Sequence, residues 1–367
     1  MLPPKPQILQ LKKPVFTPFE KFKPLPKLKY NDKILLLTHT DMDGSGASVL
    51  LKTIFPRVDV EYCTNGYMSK KIKETLLQPE IASQYQLIIA CDISCNLYDA
   101  ELINKSPYRK KFILLDHHDT ALELNQYPWA VVMSHITPDN TRAKYYDNPN
   151  NGHSSGTSLL YDYLHQTGHA ERFQNQELTL QFVHTITGYD TWDWVNCFHS
   201  DPIFNHMNLL FYGYGSEIFE ERWINRLKTD KNSKLFTDTD HFILTIEQNK
   251  IKHHQERIKR NLITGNILFK NEPDRYYSVV FCASDSYLSA TFDLMKELYP
   301  NYDLYITETN KSFSVRTSKD HIHIGHLLKE MGGGGHQGAG GIPIRLSQKQ
   351  NLLENVLNAS VYFDTKQ

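Results

Sequence analysis

Lys33-Ile34-Leu35-Leu36-Leu37-Thr38-His39-Thr40-Asp41-Met42-Asp43-Gly44 decides the fold. Four apolar residues run without interruption and end in polar ones, as in a short strand buried on both faces of a parallel sheet. Past Thr38 the extended backbone alternates its side chains, so His39, Asp41 and Asp43 can point to one side. Gly44 permits a sharp exit into a helix predicted over Ala47–Phe55. The texture recurs twice. Leu87-Ile88-Ile89-Ala90 runs into Cys91-Asp92, and Phe112-Ile113-Leu114-Leu115 runs into Asp116-His117-His118-Asp119. Helical spacing of apolar residues between such runs gives βαβ units, hence an α/β fold with a mainly parallel sheet flanked by helices. Ligands of open parallel sheets bind outside the carboxyl ends of the strands. Here three strand ends deliver Asp and His to that edge.

Further helices are expected over Gly156–Gln166 and Leu178–Gly188. The second leads into Gly188-Tyr189-Asp190-Thr191-Trp192-Asp193-Trp194, a fourth acidic cluster able to fold over the same edge. Carboxylates with a minority of imidazoles suit Mn²⁺ or a similar ion better than zinc. So many carboxylates would repel one another unless cations neutralised them. Two ions about 3.5–4 Å apart sharing a carboxylate serve phosphate-ester hydrolysis. Alone, each motif reads equally well as a turn with capping carboxylates. Their coincidence at successive strand ends favours the metal site.

The chain has 367 residues, enough for about two domains. Forty Lys and Arg against 41 Asp and Glu leave a net charge of −1, which excludes a wholly basic nucleic-acid coat. Five scattered cysteines argue for a reducing compartment, and Cys91-x-x-x-Cys95 has neither zinc nor redox spacing. No apolar run approaches the roughly 20 residues that span a bilayer. The N-terminus shows no signal-peptide pattern, so a cytoplasmic protein is expected.

Residues 1–32 are rich in Pro and Lys and read as an extended arm. Residues 33–240 form the first domain and 241–262 a charged connecting helix, on which His253 and His254 are expected to be solvated. Residues 263–350 form a smaller α/β domain, with strands at Tyr277–Cys282, Leu304–Thr307 and Ser312–Arg316 and a helix at Ser289–Leu298; 351–367 is a tail. His321-Ile322-His323 alternates as on a strand. The run from Gly332 to Gly341 lets backbone N–H groups approach an anion, yet matches neither a Walker A nor a dinucleotide fingerprint. Gly333, Gly334, Gly335 and His336, with Arg316 at a strand end, read as a phosphate clamp. Ser154-Ser155-Gly156-Thr157 most simply caps a helix. Arg142, Tyr145 and Tyr146 fall in a polar loop.

The set resembles the DHH phosphoesterase superfamily with a DHHA1 C-terminal domain. The matching residues are His39-Thr40-Asp41-Met42-Asp43-Gly44, Asp92, Asp116-His117-His118, Asp190 and Gly332–Gly341, in the family's order. The Tyr189-Asp190-Thr191-Trp192 form is similar to the nanoRNase B branch of oligoribonucleases. The resemblance implies a DHH domain, a connecting helix and a smaller DHHA1 domain, with the active site in the cleft between domains. It implies that His39, Asp41 and Asp92 hold one Mn²⁺. Asp43, Asp92, His117 and Asp190 would hold the other, with Mg²⁺ or Co²⁺ as substitutes. His118, Asp92 and Asp116 would be catalytic, with Asp116 orienting a histidine. His118 would also bind substrate, with Arg316, Gly333, Gly334, Gly335 and His336. Asp193 competes with Asp190 for the fourth ligand position.

What this implies is an exonuclease of the nanoRNase kind, a Mn²⁺-dependent phosphodiesterase that converts short RNA, or DNA, oligonucleotides to mononucleotides by a two-metal-activated hydroxide. The alternative is a small-molecule phosphoesterase for a nucleoside 3′,5′-bisphosphate or a linear or cyclic dinucleotide. A third reading, of another class, is a nucleotide-binding regulator without catalysis; the full ligand set speaks against it. No membrane partner is expected, and a homodimer is compatible with the reading.

Overall fold

The computed structural model describes residues 28–136, 140–148, 151–229, 234–269, 274–329, 331–335 and 337–344. Most of the Pro/Lys arm, the tail 351–367 and His336 lie outside them. The chain divides into two compact units at Leu244/Thr245.

The first unit is built on five strands: β1 (Ile34–Thr38), β2 (Val58–Tyr62), β3 (Leu87–Cys91), β4 (Phe112–Asp116) and β5 (Ala130–Val132). Their order is β2-β1-β3-β4-β5 and every pairing is parallel. β1, β3 and β4 are wholly buried because they are central and apolar throughout. Leu35, Leu37, Ile88, Ala90, Phe112 and Leu114 pack with Met68, Ile72, Ala100 and Ile103 from the helices Asn65–Leu76 and Leu97–Lys105. The helices Met42–Ile54 and Gly156–Gln166 also pack on this sheet. β2 escaped the sequence reading although Val58-Asp59-Val60-Glu61-Tyr62 alternates. It is a half-exposed edge strand, and that alternation was its signal.

The expected helices form with small shifts at their ends, as Met42–Ile54, Gly156–Gln166 and Gln176–Asp190. The first starts earlier than Ala47 because the Asp41 carboxylate caps it, accepting from the Gly44 N–H at 3.0 Å. A Cβ at Gly44 would lie 2.1 Å from the His39 carbonyl oxygen, so the exit from β1 needs glycine.

Among the described residues the second unit has six strands: β6 (Ile263–Leu268), β7 (Tyr276–Ala283), β8 (Leu304–Glu308), β9 (Ser312–Arg316), β10 (Gly334–Gly335) and β11 (Ala339–Pro343). Their order is β10-β11-β9-β8-β7-β6, with only β7 and β8 parallel, joined through the helix Leu288–Leu298. Tyr277, Val279, Leu304, Val315, Ile324 and Leu328 form its core. The helix Asp238–Lys259 runs across the division.

The glycine run forms a hairpin in which β10 and β11 pair antiparallel, Gly335 opposite Gly340. Two expectations are corrected. His321–His323 is no strand; it leads into the helix Ile324–Lys329. His254 is buried and 2.9 Å from the Thr291 hydroxyl, while His253 stays exposed. Helical spacing puts adjacent residues on different faces, and only one of this pair looks outward.

Candidate metal centre

The site grows from three adjacent strand ends. β1, β3 and β4 lie side by side, so the residues after them meet at one edge. After β1, His39 Nδ1 lies 2.6 Å from Asp41 Oδ2. Asp43, 1 % exposed, sits in the first helical turn. Its carboxylate accepts from the N–H groups of Gly156 (2.6 Å) and Thr157 (3.0 Å) at the start of another helix. Ser155 caps that helix with a capping box, as expected. The helix N-terminus therefore receives a carboxylate, where the macrodipole favours negative charge. Charge-assisted bonds of this kind are worth roughly 1.5–3 kcal/mol each.

After β3, Asp92 takes the left-handed conformation (φ 59°) and is 3 % exposed. Such a backbone costs of order 1–3 kcal/mol and collects at functional sites. A Cβ at Gly156 would lie 2.4 Å from the Asp92 Cβ, so the helix start is pressed against this residue. After β4, His117 Nε2 is 3.3 Å from Asp92 Oδ1 and 3.5 Å from Asp190 Oδ2. The wholly buried Asp116 accepts from the His117 N–H at 2.8 Å, from His118 Nδ1 at 2.7 Å and from the Ser94 hydroxyl. Asp116 thus fixes the tautomer of His118.

Three groups have ligand atoms within 4.8 Å of one another: His39, Asp41 and Asp92; Asp43, His117 and Asp190; and Asp92, Asp116, His117 and His118. Asp193 belongs to none of them. It accepts from the Tyr146 hydroxyl at 2.7 Å and from His153, so geometry separates it from Asp190.

Electrostatics tell the same story. Burial, then the charges of Asp41, Asp43 and Asp190, pushes Asp92 well above the usual carboxylate range. Burial and the charges of Asp43 and Asp41 raise Asp190 likewise. Burial, reinforced by Asp41, raises Asp43. Burial works upward on Asp41 too, but the hydrogen bond and charge of His39 hold it at about 2. Burial would lower His118, yet Asp116 lifts it to about 9. Asp92 Oδ2 and Asp190 Oδ2 are buried with no hydrogen-bond partner among the described residues. Orphaned, mutually repelling carboxylate oxygens beside imidazoles fit divalent cations.

In the second unit β11 pairs with β9 so that Ala339 stands opposite Arg316. Gly334 and Gly335 are the next strand out, and Gly333 precedes them. Arg316 donates from Nη2 to the Ser289 hydroxyl at 3.3 Å. The structure therefore brings Arg316 near the glycine hairpin. Cys91 and Cys95 are both free thiols. Burial pushes both thiols up, that of Cys95 to about 12.

Residues 33–185 match the DHH family, N-terminal domain. Sheet, strand-end motifs and match define the class: residues 33–185 are a DHH-family domain, and the chain that carries it is a metal-dependent phosphodiesterase. Its relative oligoribonuclease NrnB of Bacillus subtilis (strain 168) is 27% identical over 313 residues, 84% of this chain and 72% of that protein. A pGpG-specific phosphodiesterase from Vibrio cholerae aligns with a TM-score of 0.46 and 15% identity, over 89% of this chain and 98% of that one. RecJ from Thermus thermophilus, in complex with Mn²⁺, gives 0.48 and 12%, over 93% of this chain and 55% of that one. Among the described residues no helix is long and apolar enough to cross a membrane.

Proposed function

We propose that the protein hydrolyses short RNA oligonucleotides to mononucleotides in a Mn²⁺-dependent reaction. The observation that carries this reading is the convergence of His39, Asp41 and Asp92 with Asp43, His117 and Asp190 at one sheet edge. The first three would hold one cation. The second three, with Asp92 shared, would hold the other. Bound there, two divalent cations would supply Lewis-acid stabilisation of the phosphate and an acidified water.

The remaining roles belong to the chain. The N–H groups of Gly156 and Thr157 hold the Asp43 carboxylate in place. Asp116 holds Nδ1–H of His118 and favours the imidazolium, whose Nε2–H can donate to the scissile phosphate or its leaving oxygen. Arg316 and the backbone of Gly333–Gly335, with His336, would grip the substrate away from the cleaved bond. All five cysteines are free, which accords with a cytoplasmic enzyme.

Hydrolysis of 5′-labelled RNA and DNA oligomers from two to about 24 nucleotides, with Mn²⁺, Mg²⁺ or chelator, tests this. Fast turnover of the shortest RNAs with Mn²⁺, fading with length, is expected. No cleavage of any oligomer would overturn it in favour of a small-molecule phosphoester. Arg316→Ala should raise KM and leave kcat nearly unchanged.

A further inference from the structure

The arrangement of Asp116 and His118 occurs a second time in this unit. His153 Nδ1 lies 2.5 Å from Asp193 Oδ1, as His118 Nδ1 lies 2.7 Å from Asp116 Oδ1. Both carboxylates are wholly buried, and the imidazoles are 33% and 36% exposed. A carboxylate only accepts, so Nδ1 of His153 carries the proton and Nε2 is directed away from Asp193. Asp193 is anchored further by the His153 N–H (2.9 Å) and the Tyr146 hydroxyl (2.7 Å).

Connectivity ties this pair to the candidate metal centre. His153 stands three residues before Gly156, whose N–H holds Asp43. Asp193 stands three residues after Asp190. Two separate segments thus link the second pair to the acidic cluster, one through the Gly156 N–H that holds Asp43 and one through Asp190. Around His153, the carboxylates of Asp193 and, more weakly, Asp119 are joined by a second imidazole and a buried guanidinium. The His135 ring, on the chain leaving β5, is 4.5 Å from the His153 ring. Arg142 is wholly buried and donates from Nη1 to the His153 carbonyl at 3.2 Å, while its Nε and Nη2 have no hydrogen-bond partner among the described residues. The hydrogen bond that His153 donates to Asp193, ahead of the opposing burial, raises the pKa of His153, and Asp119 adds a smaller push. Arg142 and Tyr146 were expected in a polar loop; both are buried, one bonded to the His153 carbonyl and the other to Asp193.

We propose that His153, oriented by Asp193 and accompanied by His135, binds a phosphate of the substrate other than the scissile one. Short nucleotides carrying a terminal phosphate are then the preferred ligands. This rests on the phosphodiesterase reading above and assigns it a phosphate subsite at the β5 side of the edge. Asp193 is a positioning residue.

The test is calorimetric binding of dinucleotides with a non-hydrolysable methylenephosphonate link, bearing a 5′-phosphate, a 3′-phosphate or neither, in the presence of Mn²⁺. The wild type should bind one phosphorylated form at least tenfold more tightly than the bare one. His153→Ala should erase that preference while leaving the affinity for the bare form within twofold. Asp193→Asn, which keeps an acceptor for Tyr146, should reduce the preference less. Circular dichroism checks that the variants fold. No preference in the wild type, or a preference that survives His153→Ala, would overturn the subsite. Absence of oligonucleotide hydrolysis with the preference intact would instead sink the short-RNA reading and leave the subsite standing.

Discussion

Asp43 shows how one side chain is shared between stability and chemistry. Its two oxygens accept helix-terminal N–H groups, and it also belongs to the group of Asp43, His117 and Asp190. Asp43→Ala should lower hydrolysis by more than about a hundredfold, since even residues behind a ligand are worth 10–100-fold. Circular dichroism should show the fold retained; surviving turnover would refute the ligand assignment. His184 makes a prediction of another kind. Its ring stacks on Tyr145 at 4.2 Å and meets Phe198 and Phe204 edge-on. Burial, then the charge of Arg142, lowers its pKa to about 3. Below its ordinary value near 6.5 the unfolded chain takes up a proton that the folded one refuses, so stability falls as pH drops from there. Between about pH 7.5 and 5 this amounts to about 2 kcal/mol. His184→Phe should lose correspondingly less stability over that interval, read from urea unfolding at both pH values.

The element that organises the site is the helix Gly156–Gln166. Its N-terminus anchors Asp43, and its first residue lies against Asp92. Gly156→Ala places a methyl where the Asp92 Cβ already is, 2.4 Å away, so Asp92 must move. Activity and Mn²⁺ affinity, measured together, should both fall at least about tenfold. Ser155→Ala, which removes the cap and the hydroxyl's contacts with Thr187 and Asp43, should cost about 1 kcal/mol of stability and less activity than Gly156→Ala. If Ser155→Ala proved the more damaging to catalysis, the helix would be acting through its cap rather than through contact with Asp92.

At the scale of the whole molecule, the candidate ligands all lie in the first of two compact units. A ligand that binds only the folded state stabilises it by about 2.7 kcal/mol at a hundred times its Kd. Scanning calorimetry should show Mn²⁺ raising the transition of the first unit, with chelator reversing it and the second unit unmoved. Equal shifts of both transitions would place a cation in the second unit as well.

The sequence by itself determined the sheet and its edge. Uninterrupted runs such as Ile34–Leu37 have few alternatives to a buried strand, and polar residues at their ends then fall where parallel sheets bind ligands. Helices with regular apolar spacing, such as Gly156–Gln166, were legible for the same local reason. Only the tertiary structure separates the surroundings of Asp190 from those of Asp193. The two are three residues apart on the same segment, and only packing sends one toward His117 and the other toward His153. It alone buried His254, Arg142 and Tyr146, because burial depends on what the rest of the chain lays over a residue. The left-handed Asp92 belongs here too. Nothing in Cys91-Asp92 announces it, and the residue packed against it, Gly156, lies far along the chain.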